Sequence, residues 1–293
     1  MQNSILFKFE KYLYSRALSG STVESYISDC NLFANHLKHK QKRLDNFTQE
    51  DIRDYFIYKN YSAQSQTRSI SALKHLIRFL IINKIRYDDP THNLLRPKLK
   101  EKLPRYLSIK ETQKLLNTPN EDTAQGIRDK AILELLFATG MRVSELCSLR
   151  FKHYFEEKGY FIVKGKGNKQ RIIPISDSAN KHLKSYIKVR KKINPFIANQ
   201  SDYIFISKGL KEKVTRQMVY KIVKKYTTQI KTNKNINPHL LRHTFATATL
   251  NHGLNIREVQ MLLGHASLST TKIYATVCDT TLFKVFHEIH SKF

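Results

Sequence analysis

A basic segment with a proline at each end divides this chain into two parts of different character. Pro97 and Pro104 flank the run Lys98-Leu-Lys-Glu-Lys102, and no hydrophobic periodicity continues across it. Prolines and charge without periodicity are typical of a connection between domains. With 293 residues, the chain is long enough for two domains. We predict an N-terminal domain over residues 1–97, a linker over 98–106 and a C-terminal domain over 107–293.

The N-terminal part is predicted to be all helical. Ser21-Thr-Val-Glu24 has the pattern of a capping box, in which the serine and glutamate side chains each bind a free amide at a helix start. A second helix is predicted from about Gln66 to the break at Asp89-Pro90. Apolar residues follow both starts at helical spacing, at Val23, Tyr26, Ile27, Phe33 and Leu37 and at Ile70, Leu73, Leu76, Ile77 and Leu80. Because no pair of catalytic groups accompanies these stripes, we expect this part to bind rather than to catalyse.

The C-terminal part is predicted to be mixed α/β and mostly helical, with a small β-sheet. Two β-prone runs, Tyr160–Val163 and Arg171–Ile175, flank Gly165-Lys-Gly-Asn-Lys169 and predict a β-hairpin. Helices are predicted over about 108–116, 126–138, 215–226, 238–251, 255–263 and from 270 onward, with Asn237-Pro238 as a start signal and Gly253 and Gly264 as end signals. The expected fold class is mainly α, an all-α domain followed by this mixed domain.

The charge of the chain favours a polyanionic partner. Lys and Arg number 51 against 24 Asp and Glu, a formal net charge of +27, and phosphate neutralisation drives the binding of such chains to nucleic acid. A membrane is not favoured, because the basic residues do not share one amphipathic helix and no apolar run approaches about 20 residues. The cysteines, Cys30, Cys147 and Cys278, are scattered and odd in number, which favours reduced thiols and a cytoplasmic protein.

Arg142 is the first candidate for phosphate chemistry. It follows Gly140 and is predicted to open a helix directly after a turn, where a guanidinium can bind two phosphate oxygens. Glu145 lies three residues on, on the same helix face, and could hold Arg142 in place. Taken alone, the motif would favour an ordinary surface Arg–Glu pair.

His239 and Arg242 lie three residues apart, so one helix face is predicted to present both. His243 is four residues from His239, a spacing that also suits zinc, but the glutamate of the zinc-protease motif and a convincing third ligand are missing. Histidines that serve only the core are a further alternative. His239 and Arg242 therefore count as candidates whose role depends on their surroundings.

Three further residues complete the candidate set. His265 directly follows Gly264 at a predicted helix end, and Tyr274 comes nine residues later. A phenol with a free pKa near 10 is a poor nucleophile unless cations stabilise the phenolate, which two arginines and two histidines could do. Lys166 lies in the predicted hairpin turn, where its ammonium could protonate a leaving 5′ oxygen or simply contact DNA. Together these groups suit phosphoryl transfer on a DNA strand.

The ordered set of motifs resembles the tyrosine recombinase (phage integrase) family and, within it, the Xer-type recombinases. The N-terminal part also resembles the family's core-binding, SAM-like helical domain, so the resemblance covers essentially the whole chain. The matching segments are Thr139-Gly-Met-Arg142-Val-Ser-Glu145-Leu, Gly165-Lys166-Gly-Asn-Lys-Gln-Arg171, His239-Leu-Leu-Arg242-His, Leu263-Gly-His265-Ala-Ser, Tyr274, Ser19-Gly-Ser-Thr-Val-Glu-Ser-Tyr26, Arg68-Ser-Ile-Ser-Ala-Leu73 and Lys102-Leu-Pro-Arg-Tyr-Leu107.

The resemblance implies two domains that clamp DNA and a chain that cuts and rejoins strands. Tyr274 would attack the scissile phosphate, giving a 3′-phosphotyrosyl link and a free 5′ hydroxyl, and the 5′ hydroxyl of a partner strand would reverse the step. Arg142, Arg242 and His265 would stabilise the transition state. His239 would manage the tyrosine proton, and Lys166 would protonate the leaving hydroxyl. The ester conserves the bond energy, so the resemblance implies no cofactor and no metal.

The implied partners are double-stranded DNA with a specific recombination site and a homo- or hetero-tetramer with a related recombinase. A helical seam at Leu282, Val285, Phe286 and Ile289 would dock on a neighbouring subunit or on its own domain. Regulation by a DNA translocase belongs to the same expectation, although the ending Ser291-Lys-Phe293 differs from that of many Xer-type proteins. The implied role is resolution of chromosome or plasmid dimers during segregation.

Other functions stay open beside this one. They are a mobile-element integrase of the same chemistry, a relaxing topoisomerase that acts as a monomer, and a non-catalytic DNA-binding clamp. The two-domain resemblance favours recombination over relaxation, and a covalent protein–DNA adduct separates the enzymes from the clamp. No arm-binding domain precedes Phe7 in this sequence, so we expect a recombinase that reads only its core site.

Overall fold

The computed structural model describes residues 2–97, 106–164, 170–209, 211–230, 232 and 234–264. The described chain is mostly helical with one small β-sheet, which confirms the predicted fold class. It divides into two compact units, Met1–Lys102 and Leu103–Phe293. Most of the predicted linker, residues 98–105, lies outside the described residues.

The N-terminal unit is built on four described helices around an aromatic core. They are α1 (Gln2–Ser15), α2 (Gly20–His39), α3 (Gln49–Lys59) and α4 (Ala63–Ile82). Phe9, Phe33 and Phe47 are fully buried among them. The buried carboxylate of Asp29 on α2 accepts hydrogen bonds of 2.8 and 2.9 Å from Arg68 on α4, which ties the two longest helices of the unit together.

The predicted ends of two of these helices were wrong. Ser21 and Glu24 form no capping box, because Ser19 is the N-cap of α2 and accepts a hydrogen bond of 3.3 Å from the amide of Thr22. Ser19 has extended backbone angles, so the helix starts directly after it and Ser21 already lies in the first turn. The helix α4 begins at Ala63 rather than Gln66 and ends at Ile82, well before Pro90, because Lys84 with a φ of 55° turns the chain away.

The C-terminal unit combines helices with a three-stranded antiparallel sheet. The predicted hairpin is formed by strands β2 (Tyr160–Lys164) and β3 (Gln170–Pro174), paired with Val163 opposite Arg171. A short unpredicted strand, β1 (Tyr154–Phe155), extends it in the order β1-β2-β3. Its elements are α5 (Ile109–Leu116), α6 (Ala124–Thr139), α7 (Val143–Cys147), a 3-10 turn (Phe151–His153), β1 (Tyr154–Phe155), β2 (Tyr160–Lys164), β3 (Gln170–Pro174), α8 (Asp177–Ile193), α9 (Pro195–Gln200), α10 (Arg216–Gln229), α11 (Pro238–Asn251) and α12 (Ile256–Leu263).

The helix α6 lies at the centre of this unit. Every residue from Ala131 to Ala138 is buried, and the helix packs against α8, α11, α5 and α10. A helix that is buried on all sides lies inside a core. Its buried Lys130 is satisfied by the carbonyl of Leu116 at 2.8 Å and by Glu134 at 3.3 Å. This central helix is the fixed element from which the candidate residues near its C-terminal end are placed.

Gly140 ends α6 in the left-handed conformation, with a φ of 56°. A β carbon at this position would lie 2.4 Å from Cδ1 of Phe245 on α11 and 2.9 Å from Cδ2 of Leu263 on α12. The glycine therefore serves two needs, a backbone conformation that side chains disfavour and close packing of three helices. Arg142 follows this turn and is the N-cap of α7, as predicted.

None of the described helices is long and apolar enough to cross a membrane. Cys30 and Cys147 are buried and are not joined in a disulfide, and Cys278 lies outside the described residues.

We expect Gly140→Ala to lower the free energy of unfolding by about 3 kcal/mol, because it combines a strained left-handed alanine with overpacking against Phe245. Urea titration measures the loss. Gly253→Ala is the matched control, since Gly253 has a φ of 97° but nothing within 4 Å of the added carbon. Its free energy of unfolding should fall by only about 1 kcal/mol, because the variant has the strained backbone conformation but no overpacking. Equal losses in the two variants would contradict the packing argument.

Candidate active site

The predicted Arg142–Glu145 pair is present, but it is not a surface pair. Glu145 is only 4% exposed, while Arg142 keeps 34% of its side-chain surface. Oε1 of Glu145 accepts a hydrogen bond of 3.0 Å from Nη1 of Arg142, and Oε2 accepts one of 2.7 Å from the Arg142 backbone amide. The carboxylate therefore fixes both the side chain and the backbone of Arg142 at the start of α7.

Arg171 on β3 holds the same carboxylate, a role that its position in the sequence did not predict. Its Nη1 and Nη2 donate to Oε1 and Oε2 of Glu145 at 2.7 and 2.8 Å, and its Nε donates to the Leu262 carbonyl at 3.3 Å. Arg171 is 5% exposed. Burial acts to raise the pKa of Glu145, but the hydrogen bonds and charges of Arg171 and Arg142 outweigh it and hold that pKa below its ordinary range.

Arg242 on α11 reaches the ends of two other helices. Its Nη1 donates to the carbonyl of Gly140 at 2.6 Å and its Nη2 to the carbonyl of Leu263 at 2.6 Å. Burial and the neighbouring charge of Arg142 lower the pKa of Arg242 to about 10. The guanidinium is still charged at neutral pH. Because the guanidinium is partly removed from water, its charge is less well stabilised than in solution. A bound anion would therefore stabilise it strongly.

Arg142, Arg171, Arg242 and Glu145 form one group, which we call the guanidinium cluster. Three cations and one anion leave an excess of positive charge at the ends of α6 and α12, beside the start of α7. Fixed N–H donors in a partly desolvated site stabilise developing negative charge without reorganisation. The arrangement is therefore suited to a phosphate whose charge rises during reaction.

His239 lies one turn before Arg242, on the first turn of α11, whose N-cap is Asn237 as predicted. It is exposed, which does not fit a core histidine, and its ring lies 6.5 Å from that of Tyr220 on α10. His243 is half-buried. Among the described residues, no group of three or more His, Cys, Asp and Glu side chains is arranged to hold a metal ion. His239 is thus accessible to a ligand.

Three candidates lie outside the described residues: Lys166 in the hairpin between β2 and β3, His265 and Tyr274. The described chain stops directly before His265, at Gly264, which caps α12 with a φ of 70°. A β carbon there would come within 2.8 Å of Nη1 of Arg171, so the glycine makes room for the guanidinium cluster. The roles of these three residues stay predictions.

A second group of cations lies beside this cluster. Arg150 and Lys213 donate to the phenol oxygen of Tyr203 at 2.9 and 3.3 Å and also lie over its ring. The hydrogen bonds from Lys213 and then Arg150 lower the pKa of Tyr203. Glu145, Arg150 and Tyr203 all line a cavity of about 370 Å³. The contact was not predictable, because it joins residues far apart in the sequence.

Comparison with known proteins agrees with the fold and the motifs. Residues 105–280 match the phage integrase family, and residues 6–84 match the phage integrase N-terminal SAM-like domain. Tyrosine recombinase XerD of Haemophilus influenzae is 37% identical over 288 residues, which cover 96% of each chain. The crystal structure of XerA recombinase covers 100% of this chain and 98% of its own at 29% identity, with a TM-score of 0.51. A lambda integrase tetramer bound to a Holliday junction covers 92% and 78% at 20% identity, with a TM-score of 0.68, and so shares the fold.

We expect Glu145→Gln to lower the free energy of unfolding at pH 7 by about 3 kcal/mol, because the change leaves Arg171 buried without its counter-charge. The carboxylate has a lowered pKa in the folded state, so its stabilisation is present above the unfolded pKa of about 4.3 and is lost as the pH falls through the folded value. The difference between variant and parent should therefore shrink below about pH 4 in urea titrations.

Glu156→Gln is the control for this prediction. Glu156 pairs with Lys184 at 2.9 Å, but both side chains are about half exposed, at 51% and 45%. Its loss should stay below about 0.5 kcal/mol. A deficit for Glu145→Gln that persisted unchanged from pH 7 to pH 3 would contradict the assignment of the buried charge.

Proposed function

We propose that this chain, which belongs to the phage integrase family and is a tyrosine-type site-specific DNA recombinase, cuts and rejoins DNA through a 3′-phosphotyrosyl bond to Tyr274. The observation that carries the proposal is the guanidinium cluster. It holds Arg142 and Arg242 close enough that the charge of one lowers the pKa of the other. The fold keeps the two cations close together although they repel each other. An anion that binds between them is attracted to both and removes this repulsion.

The proposed reaction is a pair of reversible transesterifications. The phenol oxygen of Tyr274 attacks the phosphorus of the scissile phosphodiester, the bond from phosphorus to the 5′ oxygen breaks, and that oxygen takes up a proton as a 5′ hydroxyl. The tyrosine gives up its proton in the same step. Attack by the 5′ hydroxyl of a partner strand restores a phosphodiester and frees the tyrosine. One ester replaces another, so the reaction consumes no ATP.

Each candidate residue has a distinct task in this scheme. Arg142 and Arg242 bind the non-bridging oxygens, and His265 assists them as charge develops. His239 accepts the tyrosine proton, a task that its exposure on α11 permits. Lys166 delivers a proton to the leaving 5′ oxygen. We assign these tasks from the family motifs and from the described positions of Arg142, His239 and Arg242.

The substrate of the proposed reaction is double-stranded DNA with a specific recombination site, bound by four subunits. The lambda integrase structure is a tetramer on a Holliday junction, and the net charge of +27 suits binding to DNA. Arg150 and Lys213, which meet at Tyr203, supply cations for backbone phosphates near the cluster.

An Xer-type role in resolving chromosome or plasmid dimers is supported by the 37% identity to a XerD protein along almost the whole chain. We also propose a cytoplasmic location, the homo- or hetero-tetramer with a related recombinase, and regulation by a DNA translocase as part of that role. A mobile-element integrase of the same chemistry is the alternative. It would use the same residues, so the two differ in the DNA site rather than in the active site.

We expect Tyr274→Phe to bind recombination-site DNA with unchanged affinity but to form no covalent adduct, because only the nucleophilic oxygen is lost. A duplex nicked close to the cleavage point traps the adduct, since the short released strand diffuses away, and a denaturing gel then shows the protein–DNA band. Tyr87→Phe serves as control, since Tyr87 is 86% exposed in the N-terminal unit, and should keep the band. An adduct in Tyr274→Phe would assign the nucleophile elsewhere, and no adduct in the parent would favour the non-catalytic clamp.

We expect Arg142→Ala and Arg242→Ala to slow adduct formation by about 10²–10³-fold while changing the dissociation constant for DNA by less than about threefold. The reason is that the electrostatic interaction of these arginines with the phosphate strengthens most as negative charge develops in the transition state. Single-turnover rates at saturating protein measure the first quantity and a titration measures the second. Arg257→Ala, an exposed cation on α12, should leave the rate of the bound complex unchanged. Equal losses of affinity and rate would show that the arginines act only in binding.

A further inference from the structure

Arg171 stands out as a buried charged residue that the proposed reaction leaves without a task. It is 5% exposed, and its guanidinium spans from Glu145 to the carbonyl of Leu262. Because so little of its surface is open to solvent, we do not expect Arg171 itself to touch DNA. Any effect on the reaction must pass through the groups that it holds.

The carboxylate of Glu145 is shared between two arginines in a specific way. Each oxygen accepts one bond from Arg171, and each also accepts one bond from Arg142, Oε1 from the side chain and Oε2 from the backbone amide. Arg142 therefore gives a single guanidinium bond to the carboxylate. A guanidinium carries five N–H donors in a fixed fork, so most of the donors of Arg142 are left for a phosphate.

Loss of Arg171 would change this sharing. A buried carboxylate without its main partner would pair with the nearest remaining guanidinium, and arginine–carboxylate pairs prefer two parallel bonds. The nearest guanidinium is that of Arg142. A second bond would turn its fork toward Glu145 and neutralise more of its charge. By binding the carboxylate of Glu145, Arg171 thus prevents a second hydrogen bond between Glu145 and the guanidinium of Arg142.

Arg171 also fixes the end of α12. Its Nε binds the Leu262 carbonyl at 3.3 Å, next to the Leu263 carbonyl that Arg242 binds at 2.6 Å. The last carbonyls of a helix have no partner within the helix, and cations there are favourable. Gly264 leaves the space that the guanidinium of Arg171 fills. The residue after this cap in the sequence is His265.

We propose that Arg171 is a positioning residue for strand cleavage: by holding Glu145 and the end of α12, it keeps the guanidinium of Arg142 available to the scissile phosphate. The inference rests on the proposed function. It goes beyond it by giving a task to a residue that never meets the substrate.

The test is a double-mutant cycle on the full chain, read as the rate of Tyr274 adduct formation on the nicked duplex at saturating protein. Arg171→Gln should slow the rate by about 10²-fold, because Glu145 then pairs fully with Arg142. Arg171→Lys keeps one bond to the carboxylate and should recover part of that loss. The affinity for DNA should change by less than about threefold in both variants.

The decisive member is the double variant Glu145→Gln with Arg171→Gln. It removes the carboxylate that would otherwise pair with Arg142. Its rate of adduct formation should therefore be at least about tenfold higher than that of Arg171→Gln alone. A residue that only stabilised the fold would not produce a gain in rate from a second substitution. Thermal unfolding of every variant ensures that rates are measured where all are folded.

Arg128→Gln is the matched control. Arg128 is 7% exposed and donates hydrogen bonds of 3.0 and 2.7 Å to the buried carboxylate of Asp129, but it lies in the first half of α6, whose opposite end is capped by Gly140. It should lower stability without slowing the reaction of folded protein. A folded Arg171→Gln that cleaves at the parental rate, or a double variant no faster than the single, would overturn the proposal. A parent that forms no adduct would overturn the proposed function itself, a result distinct from either.

Discussion

The burial of one carboxylate, that of Glu145, sets the geometry on which the rest of the site depends. An ion at 4% exposure is strongly unfavourable unless it is paired and fully hydrogen-bonded. The four donors that satisfy it come from β3 and from the start of α7. Strand and helix must therefore meet in one arrangement, and that arrangement places Arg142 at the edge of the cluster.

The ends of helices supply the second set of constraints. Both α6 and α12 stop at glycines in the left-handed conformation, which leaves their last carbonyls exposed to partners from elsewhere. Arg242 binds one carbonyl from each of these ends, at Gly140 and Leu263. The buried cation is thus oriented by the backbone itself. Replacement of a neighbouring side chain would leave these bonds in place, so the position of Arg242 is tied to the fold more than to local sequence.

The sequence predicted the features that depend on short spacing. The pairing of Arg142 with Glu145, the Asn237-Pro238 start of α11 and the Gly264 end of α12 each follow from neighbours within one turn. Arg171 was placed in the hairpin and in a family motif but was given no role, because its partner is distant in the sequence and strand periodicity does not distinguish a buried arginine from an exposed one. Helix α8 carries many lysines and was not predicted, since its apolar face is recognisable only against α6. The start of α2 was misplaced because two nearby serines, Ser19 and Ser21, could each have served as cap.

The guanidinium cluster also bears on two tasks of the proposed phosphoryl-transfer reaction, the stabilisation of negative charge and the transfer of protons. The pKa of Glu145 is held below its ordinary range and that of Arg242 stays near 10, so neither group exchanges a proton near neutrality. Near neutral pH, the charges of Glu145 and Arg242 are therefore constant and are set by the fold. In the proposed reaction, the protons would then be moved by groups outside the cluster, and a change in the protonation of those groups would leave the charges that are proposed to bind the phosphate unchanged.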